Sequence, residues 1–142
     1  TTFSATLDDS VIADFSYISQ RLHAPGMALL DARSLAEYTG ARRSAEHGGH
    51  IPSARRLEWT DLMDPSRHLR LKPPALIRAQ LQNLAIDATQ EVIVYCQTHH
   101  RSALNYVALK WLGFERVRGY PGSWSDWGNR ADAPVVSGDE PG

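Results

Sequence analysis

Cysteine is almost missing from this chain: among 142 residues there is one, Cys96. An internal disulfide framework is thereby excluded, and a lone thiol fits a reducing compartment. No apolar stretch approaches the ~18 residues of a membrane span, so no membrane association is expected and the chain reads as cytoplasmic. An excess of charge is lacking too. With 15 basic and 16 acidic residues the net charge is −1, which gives no electrostatic case for nucleic acid or an anionic membrane surface. Repeats and low-complexity tracts are absent. The start, Thr1-Thr2-Phe3, has neither an initiator methionine nor a charged-then-apolar signal, so a trimmed methionine, a processed terminus and an excised domain all fit it. The length suits one compact domain, expected over residues 1–136, with residues 137–142 as a flexible C-terminal tail.

What is present is a patterned series of short apolar runs and amphipathic helices. Asp14 is placed to cap a helix carrying Phe15, Ile18 and Leu22, ended by Pro25-Gly26. The run Met27 to Leu30 reads as a strand closing on Asp31, and Ser34 with Glu37 three residues later is a capping-box signature for a helix over 35–38. A polar loop from Gly40 to Gly49 leads into His50-Ile51-Pro52; a short strand is expected over 54–57 and a short helix over 59–63. Pro73-Pro74 opens a helix with Leu76, Ile77, Leu81 and Leu84 as its stripe. A strand at Val92 to Tyr95 follows, then Cys96, then a helix patterned by Ala103, Leu104, Val107, Ala108, Trp111 and Leu112. The last expected elements are a strand over 114–118 and a helical turn around Trp124 and Trp127. Short apolar runs alternating with helices predict an α/β domain, a parallel sheet covered on both faces. Ligands of such sheets bind outside the carboxyl ends of the strands, where Asp31, Arg33 and Cys96 fall.

At a strand end facing a helix N-terminus, a thiol meets unpaired N–H groups and the positive end of the helix dipole. Such placement lowers a thiol pKa from ~8.5 into roughly 3.5 to 7.5, which makes Cys96 a candidate nucleophile. A buried core cysteine is the other reading of the same position.

The ordered set Asp31-Ala32-Arg33, Gly49-His50-Ile51-Pro52, Val92 to Cys96 with its loop, and Gly122-Ser123-Trp124 resembles the rhodanese-like sulfurtransferases over nearly the whole chain. Tyr38-Thr39-Gly40 and the run from Gly122 to Gly128 are similar to the catalytic half of thiosulfate or mercaptopyruvate sulfurtransferases. The resemblance implies a rhodanese fold, a five-stranded parallel sheet flanked by helices on both faces. It also implies that Cys96 takes a sulfane sulfur from a small-molecule donor and passes it, through a persulfide, to a small-molecule acceptor or a protein thiol. Thiosulfate is the first donor expected and 3-mercaptopyruvate the second. A persulfide carrier or sensor serving a protein partner is the main alternative. Phosphatase or arsenate reductase chemistry is weaker, because related phosphatases carry a loop one residue longer, with arginine where this chain has Ser102. Neither half-reaction of sulfur transfer requires a metal, nucleotide or flavin, so no cofactor is expected.

The loop Gln97, Thr98, His99, His100, Arg101 and Ser102 is the expected anion-binding cradle. Its backbone N–H groups would hold the terminal sulfur of a persulfide. Arg101 is a candidate cation for the donor, and His99 and His100 are candidate proton donors or partly charged groups. Many family members have glycine where this chain has His99, so His99 must avoid positive φ or bear its cost. Thr98 and Ser102 offer hydroxyls to the persulfide or a cap to the helix. For Arg33 two roles stand open, donor binding or a structural ion pair with Asp31; one turn on, where some thiosulfate users have arginine, stands Glu37. Trp124 is read as core or as a wall of the substrate pocket, and His50 as architectural. Spacing places no third or fourth ligand beside Cys96, His99 and His100, so no metal site is expected.

Overall fold

The computed structural model describes residue 2, residues 4–6 and residues 8–142; Thr1 and Phe3, at the start of the expected domain, and Leu7 lie outside the described residues. Strands β1 (Met27–Asp31), β2 (Arg55–Arg56), β5 (Glu91–Tyr95) and β6 (Val117–Gly119) form one parallel sheet in the order β2-β1-β5-β6. Two further strands, β3 (Met63–Asp64) and β4 (Arg70–Leu71), pair antiparallel in a separate small sheet that the sequence pattern did not suggest. The main sheet thus has four strands where five were expected. At the place of a fifth, Ile12 makes a single parallel bridge to Gly119, and the Ala13 N–H donates to the Gly119 carbonyl at 2.9 Å. A 3-10 turn at Asp9–Val11 before it and the cap residue Asp14 just after it leave no length for a longer ladder.

The two central strands run in register from Met27 beside Glu91 to Asp31 beside Tyr95. Because side chains alternate across a strand, each strand feeds two cores. Ala28, Leu30, Val92 and Val94 face a cluster with α3 (Pro74–Asn83) and α4 (Ser102–Trp111); Leu29, Ile93 and Tyr95 face another with Ile18 of α1 (Phe15–Ser19) and with Trp124 and Trp127 of α5 (Ser123–Trp127). Helices therefore cover both faces, as expected.

Local signals account for most boundaries. Asp14 accepts from the Tyr17 N–H, and the Ser34–Glu37 capping box is complete at the start of α2 (Leu35–Thr39). Of the apolar stripe expected on α4, Ala108 and Leu112 are buried and Leu104 packs against the core, but Val107 and Trp111 are about half exposed, and Ser102, Asn105 and Leu109 complete the buried face. Polar side chains turn inward because they have partners there, the Asn105 amide donating to the Leu57 carbonyl at 2.9 Å. Leu76 of α3 is likewise exposed while Ile77 and Leu81 are buried.

In residues 137–142, expected as a flexible tail, the Gly138 N–H donates to the Thr39 carbonyl at 2.9 Å, and the Pro141 carbonyl accepts from the Ser53 N–H at 2.6 Å. No helix among the described residues is long and apolar enough to cross a membrane.

Candidate active site

Cys96 follows the last residue of β5, at the carboxyl edge of the sheet, and is 1% exposed. Its backbone is fixed from the other side of the chain. The Cys96 N–H donates to Ser123 Oγ at 3.3 Å, its carbonyl accepts from the Trp124 N–H at 2.9 Å, and the Gln97 carbonyl accepts from the Ser125 N–H at 3.0 Å. Ser123 itself donates to the Tyr120 carbonyl at 2.8 Å. A parallel central strand thus delivers the cysteine, and the first turn of α5 holds it.

The loop then turns so that its amides stay free. Among the described residues the backbone N–H groups of Gln97 through Ser102 donate to no protein acceptor; the first inward bond runs from the Ala103 N–H to the His99 carbonyl at 3.1 Å. Consecutive open amides at the start of α4, with one residue in left-handed conformation, make a nest for an anion. His99 is that residue, with φ of 65°. It bears the cost that its family counterpart avoids by being glycine, of the order of 1–3 kcal/mol, and its ring is braced in return. Ser102 Oγ lies 2.7 Å from His99 Nδ1, and the ring sits so close over Gly119 that a Cβ there would come within 2.3 Å of Nε2. Gly119 is thus a site residue that sequence reasoning placed only near the end of a strand.

Burial, and then the charge of His100, push the His99 pKa below its ordinary value, which disfavours its charged form. His100 is exposed, with Nδ1 3.0 Å from Thr98 Oγ1. Neither Thr98 nor Ser102 caps α4 with its side chain; the cap position is held by Arg101, and Ser102 is turned back to His99.

Arg101 faces Glu37. Its Nη1 and Nη2 donate to Glu37 Oε2 and Oε1 at 2.9 and 2.8 Å. Those bonds lead the causes that raise the Arg101 pKa, and the nearby Cys96 sulfur adds to them. The same bonds, with Ser34, hold the Glu37 carboxyl down at about 2 against its burial. Arg101 therefore stands by the thiol as one half of an ion pair, and Glu37, noted from sequence only as a cap and as a missing arginine, is its other half.

Of the two roles open to Arg33, the structure builds the ion pair. Arg33 is fully buried, donating to Asp31 Oδ2 at 2.6 Å and to the Gly49 carbonyl at 2.8 Å, with its guanidinium 4.4 Å from the Trp124 ring centre. Trp124 is 1% exposed. Arg33 and Trp124 cover each other, and neither side chain faces solvent. His50 is architectural in its contacts: it is buried, stacked on Tyr38 with ring centres 3.7 Å apart, and Nδ1 lies 2.8 Å from the Tyr38 carbonyl.

Gln97 also turns away from the cradle. The Ser44 hydroxyl donates to Gln97 Oε1 at 2.7 Å and Gln97 Nε2 donates to the Ser44 carbonyl at 3.2 Å. Nothing in the sequence pattern singles out Ser44.

A model of the Rhodanese-like domain family matches residues 14–130. Thiosulfate sulfurtransferases of Azotobacter vinelandii and Pseudomonas aeruginosa are each 48% identical over 130 residues, 92% of this chain and 47% of theirs. A protein of Thermus thermophilus described as sulfur carrier protein TtuD is 34% identical over 122 residues, 80% of this chain and 42% of its own. The chain thus spans about half the length of the curated relatives it matches. Among solved structures, an anaerobic ergothioneine biosynthesis enzyme from Chlorobium limicola superposes with a TM-score of 0.83 at 21% identity, over 91% of this chain and 32% of that one, a likeness of fold.

Proposed function

The chain belongs to the rhodanese-like domain family, and we propose that it is a sulfurtransferase working through a persulfide on Cys96. The Cys96 thiolate attacks the outer sulfur of thiosulfate. A bond forms from Cys96 Sγ to that sulfur as the donor's own S–S bond breaks, and sulfite leaves with the electron pair. The acceptor, cyanide or a thiolate, then attacks the terminal sulfur and releases Cys96 as thiolate. Two half-reactions sharing one covalent intermediate give ping-pong kinetics.

The observation that carries this reading is the run of open amides from Gln97 to Ser102 beside a cysteine at the sheet's carboxyl edge. An anionic terminal sulfur needs fixed dipoles around it, and amides already in place supply them without reorganisation. With Arg33 paired to Asp31 and Arg101 to Glu37, the nest amides and the Arg101 edge left beside Cys96 receive the donor. A group with so little free charge accommodates 3-mercaptopyruvate as a second donor. A protein thiol is a further acceptor class, supported by the relative described as a sulfur carrier.

Incubation with thiosulfate is expected to add the mass of one sulfur atom at Cys96, and cyanide to remove it as thiocyanate. A Cys96→Ser variant that still turned over thiosulfate and cyanide would sink the reading, as would aryl phosphate hydrolysis at a matching rate. Fast persulfide transfer from a protein donor with no loading from either small donor would replace it with the carrier reading.

A further inference from the structure

The polar loop ahead of His50 is a closed ring of chain. Gly40, at φ 86°, packs its backbone on Gly48, so that a Cβ on Gly40 would lie 3.0 Å from the Gly48 carbonyl carbon and one on Gly48 3.1 Å from the Gly40 oxygen. Gly40 needs glycine for its positive φ, and a side chain at Gly48 would be tight against it. Residues 41–47 between them form an Ω-loop, a surface loop with its ends together, a form often used for function. The ends of the ring are tied to the scaffold: the Arg42 N–H donates to the Ala36 carbonyl at 2.7 Å and the His47 N–H to the Gly128 carbonyl at 2.8 Å. Near the second tie, the Glu46 N–H donates to Asn129 Oδ1, and the Arg43 guanidinium bonds the Ala45 and Glu46 carbonyls within the ring.

Its tip is tied differently. Ala41 to Ser44 are exposed, and among the described residues the tip's hydrogen bonds to the cysteine loop are the reciprocal pair between Ser44 and Gln97. Gln97 is the residue next to Cys96, and the Cys96 thiol is 1% exposed. A bulky acceptor reaches a sulfur so covered only if a wall yields. Behind the thiol stands α5, bonded to the backbone of Cys96 and Gln97; below it is the central strand, and α4 is packed into the core through Asn105, Ala108 and Leu109. Beside it Arg101 is held by a two-bond ion pair with the buried Glu37, whereas the Ω-loop tip is held to the cysteine loop by the exposed Ser44–Gln97 bonds, the kind that opens locally at small free-energy cost.

We propose that the Ω-loop of residues 41–47 gates the approach to Cys96, that Ser44 and Gln97 are positioning residues forming its latch, and that the latch limits the size of acceptor reaching the sulfur. The acceptor part rests on the persulfide reading of Cys96; the gate itself does not.

The test is the second-order rate of Cys96 alkylation by iodoacetamide and by a bulky fluorescein maleimide, on wild type, Ser44→Ala, Ser44→Thr and Gln97→Leu. Ser44→Ala removes one latch bond, Gln97→Leu removes both, and Ser44→Thr keeps the hydroxyl. The maleimide rate is expected to rise roughly threefold in Ser44→Ala and more in Gln97→Leu, and to return to wild type in Ser44→Thr, with iodoacetamide rates changed less than about twofold. On sulfur-loaded protein, Ser44→Ala is expected to raise kcat/KM for a cysteine-containing pentapeptide relative to cyanide. An unchanged maleimide-to-iodoacetamide ratio in both Ser44→Ala and Gln97→Leu overturns the gate, and so does an equal rise for both reagents, the mark of a generally loosened loop. Alkylation needs no sulfur donor, so failure of thiosulfate to load Cys96 strikes the sulfurtransferase reading and leaves the gate to be judged by these rates.

Discussion

Glu37 and Arg101 meet in a two-pronged ion pair, with both carboxylate oxygens within 2.9 Å of separate guanidinium nitrogens. The pair joins α2 to the start of α4 and fixes a planar cation beside Cys96. A lysine has one ammonium and cannot match both oxygens in that geometry. Glu37→Ala and Arg101→Lys are each expected to lower the rate of persulfide formation from thiosulfate by about tenfold, measured by stopped single-turnover mass analysis. If Arg101→Lys loads sulfur at the wild-type rate, the fork geometry is not used.

The same pair gives the protein an acid-sensitive component of stability. With the folded Glu37 carboxyl at about 2 and its reference value at 4.5, the unfolded chain binds the proton first as pH falls. The contribution is therefore fully present above the reference value and fades as pH drops from 4.5 toward 2. The Tm gap between wild type and Glu37→Gln is expected to be constant from pH 8 to about pH 6 and to narrow below about pH 4.5. A gap that stays constant down to pH 3 would contradict the assignment.

Gly119 and His99 form a size-matched contact. In Gly119→Ala the new methyl would stand 2.3 Å from His99 Nε2, so the ring must leave its place and its Ser102 partner. A loss of ~1–3 kcal/mol in urea unfolding is expected. Shortening the ring in Gly119→Ala/His99→Ala should recover part of it, and a double-mutant cycle measures the coupling; strict additivity would show that the ring does not depend on Gly119.

The buried pair Asp31–Arg33 carries a different signature. Arg33→Met alone leaves a carboxylate with 0% exposure unpaired, and a destabilisation of ~3–5 kcal/mol is expected. Asp31→Leu/Arg33→Met removes both charges and is expected to cost less than the single change. Were the double variant the less stable of the two, the uncompensated Asp31 carboxylate would not be the source of the single variant's cost.

Much of this architecture is legible from local signals. Ser34 with Glu37 announces the cap of α2, and an apolar run ending at a cysteine followed by polar residues announces both β5 and the candidate site. What periodicity cannot supply is the identity of distant partners. Glu37 lies 64 positions from Arg101 and Ser44 lies 53 from Gln97; neither spacing leaves a trace in any local window. Part of the buried face of α4 escaped for a related reason. Hydrophobicity favours Val107 and Trp111 as core residues, yet Asn105 is inside because the Leu57 carbonyl waits for its amide. The fifth strand is legible as a family expectation, but the Asp9–Val11 turn and the Asp14 cap confine that segment to one bridge.

The bonds from Ser123, Trp124 and Ser125 to the cysteine and its neighbour also set an order of events in the life of the chain. During synthesis the thiol emerges first, and the groups that hold its backbone follow 27 or more residues later. Chain stalled or cleaved between them presents a cysteine whose loop is anchored at one end only. Assembly of the loop thus waits until α5 has docked, so that a fragment lacking α5 is expected to show no assembled nest.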